Sequence, residues 1–310
     1  MGIDTSYLHA SMGSDIVGYL RDPDVIEVML NPDGKIFVDT LSKGKYNSGK
    51  TMNPIDAHKI ISIVADYMSL PLDRKNPILS GSIPETGERF QGQIPPIVKN
   101  PSFAIRKKAT KIFTLEEYVS KETMTQNQMD KIIIAIKERR NILVVGGTST
   151  GKTTLVNAII KKMVEIDPLA RFIILEDVEE LQCAADDKKP MLTSEWVNMQ
   201  GLVKDTMRER PDRIIVGEIR DHTALDLLKA WNSGHPGGIC TIHADGAYEG
   251  LRKLEQFILE VAQNPLKDLI GGAVDLVIVI KKHGNKRYID EIQEVKKYNN
   301  LEDRYILEAI

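Results

Sequence analysis

The stretch Leu143–Ile160, LVVGGTSTGKTTLVNAII, changes character twice within eighteen residues: an apolar strand end gives way to a glycine-rich loop, and the loop to a helix. Gly146, Gly151, Lys152 and Thr153 satisfy the spacing G-x-x-x-x-G-K-S/T. At average composition a chance match somewhere in a chain of this length has odds on the order of one in a hundred. The glycines let backbone N–H groups close around phosphates, and the helix start adds positive potential. Lys152 is expected to reach the β/γ oxygens and Thr153 to ligate Mg²⁺. The candidate nucleotide loop is therefore Gly146, Gly147, Thr148, Ser149, Thr150, Gly151, Lys152, Thr153 and Thr154, with ATP and Mg²⁺ as its cofactors.

Outward from this loop, the apolar runs NILVVG, RFIILED, DRIIVGE and GICTIHA alternate with helical segments, the pattern of a mostly parallel sheet buried on both faces. VDLVIVI and the residues after it predict two more strands around a Gly284/Asn285 turn. The first hundred residues differ. VIEVML and KIFVDTL predict a hairpin, Asn53 and Pro54 open a helix ending before Pro71, and three short segments with Pro and Gly predict antiparallel strands. The expected organisation is an α+β N-terminal domain over 1–108, a linker over 109–121 and an α/β P-loop domain over 122–310.

Composition narrows the function. With 41 basic and 44 acidic side chains the formal charge is −3, which argues against direct nucleic-acid binding. Two distant cysteines, Cys183 and Cys240, supply neither a disulfide framework nor a structural zinc pair, and suit a reducing cytoplasm. No run is long enough to span a membrane, and no secretory leader is legible. MGIDTS matches the short myristoylation pattern at Gly2 and Ser6, a pattern with many false positives.

Hydrolysis needs acids beside the loop. RIIVGE places Glu218 directly after an apolar strand, suited to polarising a water, and LEDVEE brings Glu176 and Asp177 to the same sheet edge. Glu179 and Glu180 read as helix-start or surface charges. NSGHPGGICTIHA frames one strand with His235 and His243, and the pair suggests a phosphate-sensing element with His243 at the strand end. Arg208, Arg210 and Arg213 read as helix-end charges as readily as nucleotide contacts. Trp196 and Trp231 are expected in the core, and Leu251, Leu254, Ile258 and Val261 form a stripe expected to pack on the sheet.

Taken together, GGTSTGKTT, ILEDVEELQ, LVKDTMRERPDRIIVGEIR and WNSGHPGGICTIHA resemble the secretion ATPases of type II and type IV systems, the last two most of all the conjugative-transfer (TrbB-like) branch. The resemblance covers nearly the whole chain. It implies a RecA-like P-loop core, with Glu176 in an Asp box, Glu218 as the catalytic carboxylate and His243 coupled to the γ-phosphate. It also implies that Arg89 and Arg106 reach the nucleotide from the N-terminal domain. The resemblance further implies a homo-oligomer, a hexamer, that is cytoplasmic and peripheral at the inner membrane and works with inner-membrane components of a secretion or conjugation machine. Alternatives are a type II secretion or type IV pilus motor, a nucleotide-gated scaffold that barely hydrolyses ATP, and a helicase, which the charge argues against.

Overall fold

A computed structural model describes residues 6–83, 86–108, 112–284 and 286–310. They fall into two compact units, Met1–Thr110 and Lys111–Ile310. Gly2 of the N-terminal pattern and Asn285 of the expected turn lie outside the described residues.

The first unit begins with α1 (Ser6–Arg21), broken in helical geometry at Gly13, where φ is 78°. Strands β1 (Val25–Leu30), β2 (Lys35–Thr40) and β3 (Gly44–Thr51) lead to α2 (Pro54–Met68), and β4 (Ile78–Ser82), β5 (Arg89–Gln93) and β6 (Ser102–Arg106) follow. The strands form one antiparallel sheet in the order β3-β2-β1-β6-β5-β4. Helix α2 starts where expected because the Asn53 side chain accepts from the Asp56 N–H and Pro54 needs no donor partner. Its buried face, Ala57, Ile60, Ile61 and Val64, joins Leu8, Ile16, Val28, Val38, Phe90 and Ile105 in one core.

Strand β3 carries a lesson about motifs. Gly44–Thr51, GKYNSGKT, satisfies the same glycine–lysine–threonine spacing as the phosphate loop, yet it pairs along β2 as an edge strand. With no helix starting at its lysine, it offers no row of converging N–H groups. Spacing alone therefore says less than the chance odds suggest, and the strand–loop–helix setting carries the identification.

The second unit contains α3 (Leu115–Ser120), α4 (Gln126–Lys137), β7 (Ile142–Val145), α5 (Lys152–Ile166), β8 (Phe172–Glu176), β9 (Lys188–Leu192), α6 (Met199–Thr206), β10 (Arg213–Val216), α7 (Thr223–Asn232), β11 (Ile239–Ile242), α8 (Ala247–Ile258), α9 (Lys267–Ala273), β12 (Leu276–His283), β13 (Lys286–Asn299) and β14 (Arg304–Ala309). The expected linker over 109–121 is corrected by α3. Thr114 and Glu117 form a reciprocal capping box, and Leu115 and Tyr118 are buried with α4 and α5.

The sheet order is β14-β13-β12-β7-β11-β10-β8-β9, parallel from β12 to β9 and antiparallel at β13 and β14. Every residue of β7, β10 and β11 is buried. The pleat sends Leu143 and Val145 into a core shared with α6 to α9, while Ile142 and Val144 enter one shared with α3 to α5. Such two-sided burial is why these strands read as unbroken apolar runs.

Two packing expectations fail. Trp231 is buried, but Trp196 is 86% exposed after β9. Leu251, Leu254 and Ile258 pack on the sheet, whereas Val261 lies beyond the end of α8 and is 55% exposed. Among the described residues no helix is long and apolar enough to cross a membrane.

Candidate active site

Parallel strands deliver their following residues to one edge of the sheet. There the loop after β7, the acidic stretch after β8, Glu218 after β10 and His243 after β11 meet. The loop turns through positive φ at Ser149 (59°) and Gly151 (101°), and α5 begins at Lys152. Gly146 is there because a side chain is sterically barred: a Cβ would lie 2.5 Å from the Ile280 carbonyl oxygen and 2.7 Å from Thr150 Oγ1. Thr150 Oγ1 donates to the Gly147 carbonyl, stiffening the turn. Thr148 and Ser149 form its exposed tip, and Thr153 and Thr154 are half-buried in the first turn of α5.

Lys152 is buried, and its Nζ donates to the carbonyls of Gly146 and Gly147, each at 2.9 Å. It also lies 3.2 Å from His243 Nδ1. An ammonium group has only donors, so Nδ1 accepts and the ring proton sits on Nε2. Burial, and then the Lys152 charge, hold the His243 pKa below its usual value, consistent with this neutral form. Nε2 faces Glu218 Oε1 at 2.8 Å, off the line of a good hydrogen bond, so that Oε1 is buried without a bonded donor. The other oxygen, Oε2, accepts from Arg220 Nη2 at 2.6 Å, and Arg220 also pairs with Asp177 at 3.5 Å.

The acidic stretch divides its tasks differently from the expectation. Glu176 is buried, and its Oε1 accepts from the N–H groups of Glu180 and Leu181 at 3.0 and 2.9 Å. Burial raises its pKa to about 7 against the lowering effect of those bonds. Glu176 thus shapes the loop after β8. The carboxylate that reaches the phosphate loop is Glu180, whose Oε2 accepts from Thr153 Oγ1 at 3.3 Å. Asn157 of α5, 2% exposed, bonds the Glu180 carbonyl and the Gln182 N–H and so fixes Glu180 from behind. The Thr153 hydroxyl and the Glu180 carboxylate form an all-oxygen donor set that fits a hard cation such as Mg²⁺.

A cavity of about 260 Å³ adjoins Glu218, lined by Asp177, Thr193, Asn198, Arg220 and Asp221 among others; no residue of the phosphate loop lines it. His235 is not part of the edge. It precedes β11, at the opposite end of that strand from His243, with Nδ1 3.3 Å from the Pro211 carbonyl oxygen. Arg213 is not a helix-end charge either: it is 1% exposed and donates to the carbonyls of Gly237 and Ile136. Beside it Asn141, 4% exposed, accepts from the N–H groups of Gly237 and Gly238 and donates to the Ala273 carbonyl.

Arg89 and Arg106 belong to the first unit, where they are direct partners on β5 and β6. The pairing continues across the sheet from Arg106 to Glu27, Asp39 and Lys45. Directly opposed residues share a face, so the two arginines lie in one charged row with Glu27 beside them. Burial pushes the Glu27 pKa up, against the pull of Arg106.

A model of the family described as "Type II/IV secretion system protein" matches residues 14–300. A conjugal transfer protein TrbB from Rhizobium radiobacter is 46% identical over 293 residues, 94% of this chain and 90% of that one. Among solved structures, the VirB11 ATPase of the Brucella suis type IV secretion system, in complex with sulphate, is 24% identical with a TM-score of 0.51, over 93% of this chain and 94% of that one. The pilus retraction motor PilT with bound ADP is 17% identical with a TM-score of 0.66, over 93% of this chain and 83% of that one. The chain belongs to the type II/IV secretion system protein family, in its TrbB-like conjugal-transfer branch.

Proposed function

We propose that this chain is the ATPase of a type IV secretion or conjugation machine, built on a RecA-like core and coupling ATP hydrolysis to pilus assembly and DNA transfer. The observation that carries this reading is the convergence of Lys152, His243 and Glu218 on one sheet edge, in contact from residue to residue. It operates in the cytoplasm as a ring, a hexamer by likeness to the family, docked on inner-membrane components of the machine.

In the mechanism, the loop N–H groups and Lys152 hold the phosphate chain, with Lys152 exchanging its loop carbonyls for phosphate oxygens. Thr153 and Glu180 would hold Mg²⁺, which neutralises charge on the β- and γ-phosphates when bound. Glu218 orients the water for in-line attack and takes up its proton. Neutral His243 presents its Nε2–H on the same side, and Arg220 fixes the second Glu218 oxygen. Arg89 and Arg106 add positive charge to the transition state; such arginines contribute roughly 4–7 kcal/mol where they act as fingers.

The test is steady-state phosphate release with Mg²⁺-ATP, alongside molecular mass by light scattering. Turnover by a ring, lost in Lys152→Ala and in Glu218→Gln while Glu218→Gln still binds ATP, is the expected result. Retained turnover in Glu218→Gln would remove that residue from the mechanism. ATP binding by the wild type with no phosphate release, even with membrane partners, would replace the motor by a nucleotide-gated scaffold.

A further inference from the structure

The hairpin of β12 and β13 forms a wall of the phosphate loop. β12 pairs in parallel with β7, and its Ile280 carbonyl closes on Gly146. From the start of β13, Arg287 leans over the other end of the loop. Its Cδ and Nε lie 3.2 and 3.5 Å from where a Cβ on Gly151 would stand. The side chain is half-buried. Two other basic residues of the hairpin have acidic partners, Lys281 with Asp290 at 2.7 Å and Lys286 with Glu122 at 3.8 Å, while Lys282, directly opposite Arg287, is exposed and makes no ion pair among the described residues. Among the described residues, the Arg287 guanidinium makes no ion pair. A partly desolvated cation without a counter-ion is unfavourable, and a guanidinium is the side chain best shaped for phosphate oxygens.

The sheet order places this cation relative to the chemistry. β11 and β10, which deliver His243 and Glu218, lie on one side of β7, while β12 and β13 lie on the other. We propose that Arg287 is a nucleotide-binding residue whose guanidinium takes oxygens of the part of the phosphate chain that ATP and ADP share, on the flank of the loop away from Glu218. The proposal rests on the ATPase reading above. It adds a contact from a segment that carries no recognised nucleotide motif.

The experiment measures dissociation constants for fluorescent ATP and ADP analogues with the wild type, Arg287→Met, Arg287→Lys and Lys152→Ala, together with ATP turnover. Methionine keeps an apolar stem over Gly151 but removes the charge, which separates binding from packing. The expected result is about a tenfold weakening of both nucleotides in Arg287→Met, with part of it recovered in Arg287→Lys. The ratio of ATP to ADP affinity stays at the wild-type value, and KM rises while kcat changes by less than about twofold. Wild-type affinity for both nucleotides in Arg287→Met would reduce Arg287 to a packing residue. A loss confined to ATP would move the contact to the γ-phosphate and overturn the assignment to the shared phosphates. If Arg287→Met does not fold, Arg287→Lys decides alone, since unchanged affinity and salt dependence there exclude a bidentate guanidinium contact. A wild type that binds neither nucleotide would refute the ATPase reading itself, a result distinct from the others.

Discussion

Asn141 is one side chain whose removal should be felt across the second unit. Its Oδ1 accepts from the N–H groups of Gly237 and Gly238 at 2.8 and 3.0 Å, and its Nδ2 donates to the Ala273 carbonyl at 2.8 Å. It therefore ties the start of β7 to the loop before β11 and to the end of α9. Asn141→Ala leaves three buried backbone groups unpaired. At about 1–2 kcal/mol each, the lower part of the usual range because a water can enter the space, the loss is about 3–6 kcal/mol. That is a large share of the roughly 5–15 kcal/mol that holds a domain together. Asn141→Asp keeps the acceptor for the two glycines but turns a carboxylate oxygen toward the Ala273 carbonyl, near Asp275, whose own pKa burial raises. The new carboxyl should have a folded pKa above its unfolded one. The folded state then binds the extra proton, and stability falls as pH rises through the window between the two values. Urea unfolding followed by fluorescence of buried Trp231 at pH 7 and pH 5 reads both effects. The reasoning is refuted if Asn141→Ala loses less than about 1 kcal/mol, or if Asn141→Asp is no more stable at pH 5 than at pH 7 relative to wild type.

Gly146→Ala should leave the chain folded but weaken nucleotide binding by at least about tenfold, because the new Cβ must displace the Ile280 main chain; equilibrium binding and circular dichroism check the two halves. Glu180→Gln should raise the Mg²⁺ concentration needed for half-maximal turnover several-fold while leaving metal-free nucleotide affinity near wild type; a Mg²⁺ titration of phosphate release decides it. His243 should titrate below its ordinary value in the folded chain, so the neutral ring favours folding above that value and the contribution is lost as pH falls below it. An imidazole carbon-proton resonance assigned through His243→Gln and titrated by NMR measures this, and a value at or above that of an exposed histidine would contradict it.

Much of the fold was legible because burial on two faces leaves little freedom: β7, β8, β10 and β11 can only be apolar runs, and the loop after β7 needs glycine at Gly146 for room. Exposed edges were not legible. β9, KKPML, is a half-exposed edge strand without a hydrophobic pattern, and β3 hides behind glycines and polar residues. The reading of 109–121 as a linker overlooked a signal that was there, the Thr114 to Glu117 capping spacing. At the site, strand ends told which stretches meet but not which carboxylate turns inward. That choice is made by backbone bonds to Glu176 and by Asn157, so Glu180, which the sequence suggests as a helix-start or surface charge, is the residue beside Thr153. Trp196 shows the converse, since an aromatic residue in a polar loop says nothing of whether anything covers it.

The order of the larger sheet also sets a timetable for synthesis. β7, which leads into the phosphate loop, gains its first neighbour only when Ile239 pairs with Ile142, and its second when Leu276 does. At roughly 5–20 residues per second, a ribosome leaves this wholly apolar strand with both edges bare for several seconds or longer. A chain truncated before β11 would never cover either edge, and bare apolar edges are templates for aggregation. Chaperone demand during translation should therefore peak before the histidine-bearing strand emerges, and a ribosome-stalling series across residues 142–280 would show protease resistance arriving in one late step.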